Sequence, residues 1–511
     1  MKRNRFLILT LSMFAVGSII VSCKKLEKNI YNDVPTENFY QTPAQITAGI
    51  APAYAALTPL QTEAVFQSNE ATTDEMIVPT RGGDWFDGGK WQALWKHAFT
   101  ADIGTFNDGW NNLNTGITKA NFILNILNNL PTKPANIATV NAEVKVLRDY
   151  YIFYMMDMYG NVPLVTDFNT DPSKVVTVQR KDVYAFLETD LKANVPLLPV
   201  KAASNYGHMT RYAGYMLLAK LYLNAQVYTG TPQWANASIM ADSVIKSGLY
   251  SLQPNFLDNF AVSNDGSVEN IFVIPFDKTY ITGNQIEAYT LNYNSQFTFD
   301  LLGQPYNGFS SPRAFYLSFT DADARKKMFL VGQQYSSSGV ALVDKGTGLK
   351  VAFSPYINEL SNPADSFKFA GVRSVKYAPE PGSFPSSSND GVRFRLADAY
   401  LMKAEADLHQ GNTATALPLV NAIRQRAGVP TWTPADLTYD NLLAERGREM
   451  AWEGWRRNDL IRFEVATGTK YWSGARLPGK TQDADTHTYI FPIPNLQRIA
   501  NPKLIQNPGY N

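Results

Sequence analysis

Residues 143–159 carry Tyr150, Tyr151, Phe153, Tyr154, Met155, Met156, Met158 and Tyr159 with few polar interruptions. A run of that length, closed by Gly160-Asn161-Val162-Pro163, predicts a helix that is apolar on every face. Such a helix needs neighbours all round, so the chain must wrap other elements about it. Further helical patterns supply them. Residues 182–198 end at Pro196 and Pro199, and residues 211–228 set Leu217, Leu218, Leu221 and Ala225 on one face. Residues 234–246 follow the turn Thr229-Gly230-Thr231-Pro232. The same layout returns at residues 395–409, the break Gln410-Gly411-Asn412, and residues 414–426, ended by Gly428 and Pro430. Two helix-turn-helix pairs, each of about 35 residues, predict a mainly α fold with a tetratricopeptide-like helical-repeat scaffold. Plain αα-hairpins in a helical domain fit the same pattern.

Residues 250–390 differ. Ser, Asn, Gly and Pro dominate, with Ile271-Phe272-Val273-Ile274-Pro275 reading as a strand and Ser336-Ser337-Ser338-Gly339 and Pro385-Ser386-Ser387-Ser388-Asn389 as loops. A loop-rich lobe carrying a few short strands on a helical scaffold is a common way to build a binding face. The resulting layout is a signal at 1–22, a tether at 23–37, a helical region at 38–249, a loop-rich ligand-binding lobe at 250–390 and a second helical region at 391–511. A chain of 511 residues exceeds what one simple core supports, so two lobes are expected.

The chain begins as a secretory signal does: Lys2, Arg3 and Arg5 precede an uncharged run from Phe6 to Ile20. That run is too short to span a bilayer, which needs about 20 residues. Ile20-Val21-Ser22-Cys23 follows, the order at which a lipoprotein peptidase cuts before a lipid-bearing cysteine. Cys23 is the only cysteine, so it reads as an anchor to the membrane rather than half of a disulfide. Removing the signal takes away three of the 46 basic residues and none of the 45 acidic ones, leaving 43 against 45. No basic excess remains for nucleic acid.

In residues 81–89, two glycine pairs flank Asp84-Trp85-Phe86-Asp87. Glycine lets the loop turn sharply and push its rings outward. Trp85 and Phe86 then offer flat faces for the C–H side of a sugar, and Arg81, Asp84 and Asp87 offer partners for its hydroxyls. Trp85 folded back as a core plug is the competing reading. Tyr306, Asn307 and Phe309 on a glycine turn form a second candidate surface, with a turn packed under Phe315 and Phe319 as its alternative. Asp390 reads as the cap of a following helix. Glu445, Glu449 and Glu453 recur every four residues, and Arg456 and Arg457 stand at helical ion-pair spacing from Glu453. Interleaved arginines keep those carboxylates ionised, which suits structure rather than proton transfer. His97, His208, His409 and His487 are scattered without a zinc motif. There is no nucleophile elbow and no phosphate loop. Asp321-Ala322-Asp323 lacks the rest of a calcium loop, although scattered oxygens leave room for calcium. No cofactor is expected.

The stretch from Leu443 to Phe463, including Glu445-Arg446-Gly447-Arg448-Glu449 and Trp452-Glu453-Gly454-Trp455-Arg456-Arg457-Asn458-Asp459, resembles the signature helix of SusD/RagB proteins. Phe491-Pro492-Ile493-Pro494, Asn501-Pro502 and Gln506-Asn507-Pro508-Gly509-Tyr510 are similar to that family's ending, and residues 393–406 and 81–89 match it upstream. The resemblance implies a non-catalytic lipoprotein of the outer membrane that captures oligosaccharides, or in some cases peptides, and delivers them to a SusC-like TonB-dependent barrel transporter. It also implies that repeat helices face the transporter and that loops on the other side build the ligand site. Lys24 and Lys25 after Cys23 depart from the acidic residues that many relatives carry there. A lipid-anchored glycoside hydrolase of helical fold is the rival from another class, and a receptor for peptides is the other alternative.

Overall fold

The computed structural model describes Tyr40 and residues 42–510, so the signal, Cys23 and the tether lie outside the described residues. The longer helices are α1 (Pro43–Ala55), α2 (Ala64–Glu70), α3 (Lys90–Lys96), α4 (Gly104–Asn128), α5 (Ile137–Tyr159), α6 (Arg180–Asn194), α7 (Arg211–Leu223), α8 (Trp234–Ile245), α9 (Leu396–His409), α10 (Thr413–Arg426), α11 (Tyr439–Met450) and α12 (Arg456–Thr467). The mainly α expectation holds.

α5 is the apolar run, and every residue from Val146 to Tyr159 on it is buried. Two of its hydroxyls are satisfied internally: Tyr151 donates to the Ala53 carbonyl at 2.7 Å and Tyr159 to that of Phe106. Gly160, at φ 71°, ends it. α5 packs on α4 and α6; farther along, α7 packs on α8, α8 on α9 and α9 on α10. The two helix pairs read from sequence therefore stack into one array, although about 150 residues of loop separate them in the chain.

The predicted strand forms at Asn270–Ile274 (β1) and pairs antiparallel with Gly391–Arg395 (β2), joining the start and end of the loop-rich segment. Asp390 therefore precedes a strand, not a helix. Its carboxylate accepts from Phe276 N at 2.8 Å and from the Tyr206 hydroxyl, which corrects the cap expectation. Among the described residues, one core cluster runs from Tyr40 to Leu504, and two smaller ones lie under the loops.

The signature stretch is two helices rather than one. α11 stops at Met450, and Trp452 and Gly454 take φ 60° and 80° before α12 begins. That corner sends Glu453 away from Arg456 and Arg457. Glu453 pairs instead with Lys376 and Arg395, Arg456 with Asp74, and Arg457 with Asp157. Glu449 meets Arg325 at 3.0 Å and Arg395 at 2.6 Å, and Glu445 meets Arg325 and Arg424, each at 2.7 Å. Burial alone would raise Glu445, but Arg325, then Arg448 and Arg424, pull its carboxyl down to about 2. A carboxylate held down this firmly is a poor proton donor, and Glu449 and Glu453 are closed into ion pairs beside it, which is the structural role that the interleaved arginines implied.

Candidate ligand-binding site

The loop after Arg81 is set by a tight turn: Arg81 N donates to Asp84 O at 3.0 Å and Asp84 N returns to Arg81 O at 3.1 Å, with Gly82 at φ 65°. Thr80 and Arg81 pair in parallel with Ser361 and Asn362, which fixes where the turn emerges. Trp85 then takes φ 64°, a conformation that bulky residues rarely adopt. This swings its indole against residues 304–309, where Nε1 donates to the Tyr306 carbonyl at 2.7 Å. Trp91, Tyr289 and Phe309 surround that ring at centroid distances of 5.7, 5.8 and 5.7 Å. Tyr306 packs on Tyr289 at 5.4 Å. Gly308 makes the fit possible, since a Cβ there would lie 2.3 Å from the Trp85 ring.

The outcome is an open hollow of about 380 Å³ lined by Asp84, Trp85, Asp87, Tyr293, Gln304, Pro305 and Tyr306. Trp85 and Tyr306 are half-buried, so each is neither a core plug nor a free flap. Asp84 and Asp87 stand exposed at the rim. The Tyr293 hydroxyl donates to Asp84 Oδ2, and Trp91 Nε1 donates to Asp87 Oδ2 at 2.7 Å. Each rim carboxylate is thus held by one oxygen. Burial, then the bond to Asp84 and its charge, raises the Tyr293 hydroxyl above its ordinary range, so it stays a donor.

Three of the expected ligand contacts lie beneath the hollow instead. Arg81 is 1% exposed; its guanidinium donates to the carbonyls of Asn307, Phe367 and Ala370 and to Ser310 Oγ at 2.7–3.1 Å. Asn307 is fully buried, and its Oδ1 accepts from Arg373 at 2.7 Å while its Nδ2 donates to Lys368 O. Phe309 is fully buried and stacks on Tyr289 at 4.9 Å. These side chains hold the loops together, and with their polar groups already satisfied they do not reach the hollow. Phe86 is 54% exposed but is not part of the lining. Tyr293, Gln304 and Pro305, which local sequence pattern barely marks, complete the lining. The only available signal was an aromatic between two amides, Asn292-Tyr293-Asn294.

Burial pushes the Arg81 guanidinium down to about 9, and burial together with the like charge of Arg81 pushes Arg373 well below its ordinary value. Carbonyl, amide and hydroxyl oxygens stabilise both. Among the described residues, no group of three or more His, Cys, Asp or Glu side chains is placed to hold a metal. Such a hollow can receive a ring-shaped, hydroxyl-rich molecule.

A family profile described as "SusD family" matches residues 227–510, and one described as "Starch-binding associating with outer membrane" matches residues 25–223. The chain belongs to the SusD family. Members of that family bind glycans and are not catalysts. Among relatives, the "Starch-binding protein SusD" of Bacteroides thetaiotaomicron is 26% identical over 438 residues, covering 77% of this chain and 76% of its own. The fold is shared with surface glycan-binding protein A from Bacteroides uniformis, at a TM-score of 0.75 and 21% identity over 91% of this chain and 99% of that one. It is shared too with surface glycan-binding protein A from Bacteroides thetaiotaomicron in complex with laminarihexaose, at a TM-score of 0.72 and 19% identity over 91% and 99%.

Proposed function

We propose that this chain is a lipid-anchored receptor on the outer membrane that holds an oligosaccharide in the Trp85 hollow and delivers it to a SusC-like TonB-dependent transporter. The observation that carries the binding half is the pair of half-buried rings, Trp85 and Tyr306, lining one hollow beside Asp84 and Asp87, each of which accepts a hydrogen bond. A pyranose offers an apolar face to the rings and hydroxyls to the rim, and preformed geometry lowers the ordering cost of binding. The starch-binding relative and the laminarihexaose-bound neighbour support a glucan as cargo. Cys23 after its signal supports the anchor, and the outer-membrane wording of the matched profile supports the location. The reading needs no cofactor.

Calorimetry with malto- and laminari-oligosaccharides tests it. Trp85→Ala should weaken binding by about a hundredfold, as expected when a central aromatic anchor is truncated. Unchanged affinity in that variant removes the hollow from the function.

A further inference from the structure

Beside the ring-lined hollow lies a second one of about 290 Å³, lined by Glu63, Gln67, Lys90, Asp108, Asn111 and Asn112. It is bounded by the starts of α2, α3 and α4. The partition between the two hollows is thin and firmly built. Asp87 lines the first and Lys90 the second, and the Lys90 ammonium sits 3.7 Å from Asp87 Oδ2. Trp91, 2% exposed, anchors both: its Nε1 donates to Asp87, and the Lys90 ammonium lies 4.6 Å from its ring centroid.

Among the described residues, no aromatic ring lines this second hollow. Its polar groups are carboxylate, ammonium, amide and the Thr105 hydroxyl, and several are already fixed. Gln67 Nε2 donates to Thr62 O at 3.1 Å, which leaves Oε1 as an acceptor. Gln497 donates to Asn111 Oδ1 at 3.0 Å. Glu63 occupies the cap position of α2 without making a capping bond, so its carboxylate is not committed to the helix. Partial desolvation at the surface, with Asp108 nearby, raises that carboxyl against a hydrogen bond from Asn112 that lowers it.

Opposite charges side by side fit neither a polyanion, which would meet Glu63 and Asp108, nor a polycation, which would meet Lys90. Hydroxyls suit them, because a hydroxyl donates to a carboxylate and accepts from an ammonium, and hydrogen bonds to charged groups are the stronger ones. We propose that the polar hollow is a second subsite of the same binding groove, taking the hydroxyls of sugar units that run from the Trp85 platform past Asp87 and Lys90. This rests on reading the Trp85 hollow as a glycan site. The rings orient one unit of the chain, and the polar hollow makes affinity depend on chain length.

The test is calorimetry with malto- and laminari-oligosaccharides, from disaccharide to heptasaccharide, on the wild type, Trp85→Ala, and a double variant carrying Glu63→Ala and Asp108→Ala. Both replaced acids are exposed, so the double variant should fold. Wild-type affinity should rise with length. The double variant should keep short-chain affinity and lose about tenfold for the longest chains, while Trp85→Ala weakens every length. Affinity that does not change with length, or a double variant that loses nothing or loses equally at all lengths, overturns the subsite and leaves the Trp85 site standing. A wild type that binds none of the series overturns the glycan reading itself.

Discussion

Two clusters of arginines and rings are finished differently in this molecule. Around α11, buried guanidiniums face carboxylates: Arg395 meets Glu269, Glu449 and Glu453, and Arg325 meets Asp323, Glu445 and Glu449. Around the loop at 81–89, Arg81 and Arg373 are buried just as deeply but are met by carbonyls, an amide and a hydroxyl. The first cluster closes charge upon charge and leaves nothing for a ligand. The second uses guanidinium forks to tie several loops into a floor, and its carboxylates, Asp84 and Asp87, stay at the rim. Burial of charge serves stability in one place and presentation of a surface in the other.

Breaking the closed cluster should have the largest effect. Glu449→Ala leaves Arg395 and Arg325 short of a partner and should cost about 3–5 kcal/mol in chemical denaturation, whereas Asp84→Ala should cost no more than about 0.5 kcal/mol. If the two cost the same, the contrast between the clusters fails. A pH series sharpens it. Glu445 has a folded value of about 2 against an ordinary 4.5, so the unfolded chain takes up the proton first. Its contribution is complete above about pH 4.5 and is lost as pH falls toward 2. Denaturation midpoints should drop through that window, and less steeply in Glu445→Gln.

On the open side, Gly308→Ala places a methyl against the Trp85 indole and should weaken oligosaccharide binding about tenfold, with unfolding shifted by no more than about 2 kcal/mol. Retained affinity would show that the ring seat is looser than its packing implies. The smallest effect belongs to Tyr293→Phe, which frees one Asp84 oxygen. It should weaken binding two- to fivefold with stability unchanged, in line with the loss of about 0.5–1 kcal/mol from one hydrogen bond.

The helical array was legible because its signals are local: the apolar run of α5 with Gly160 after it, and the two helix-turn-helix pairs, lie within windows of a few turns. The ring-bearing loop was legible too, since Trp85 between glycine pairs declares a turn that presents an aromatic. The signature stretch misled on its partners, because the corner at Trp452 and Gly454 breaks the helical spacing that the four-residue rhythm suggests.

By itself, then, the sequence determined a helical body, its family, and the residue types of the ring-bearing loop at 81–89, since each is written in neighbours along the chain. Tertiary structure alone decided that Tyr293 joins the hollow while Arg81, Asn307 and Phe309 sink beneath it. The reason is physical: Trp85 meets Tyr306 across 221 residues and Arg81 meets Ala370 across 289. Whether a ring or a charge faces water is settled by what packs over it, and contacts that distant leave no trace in local pattern.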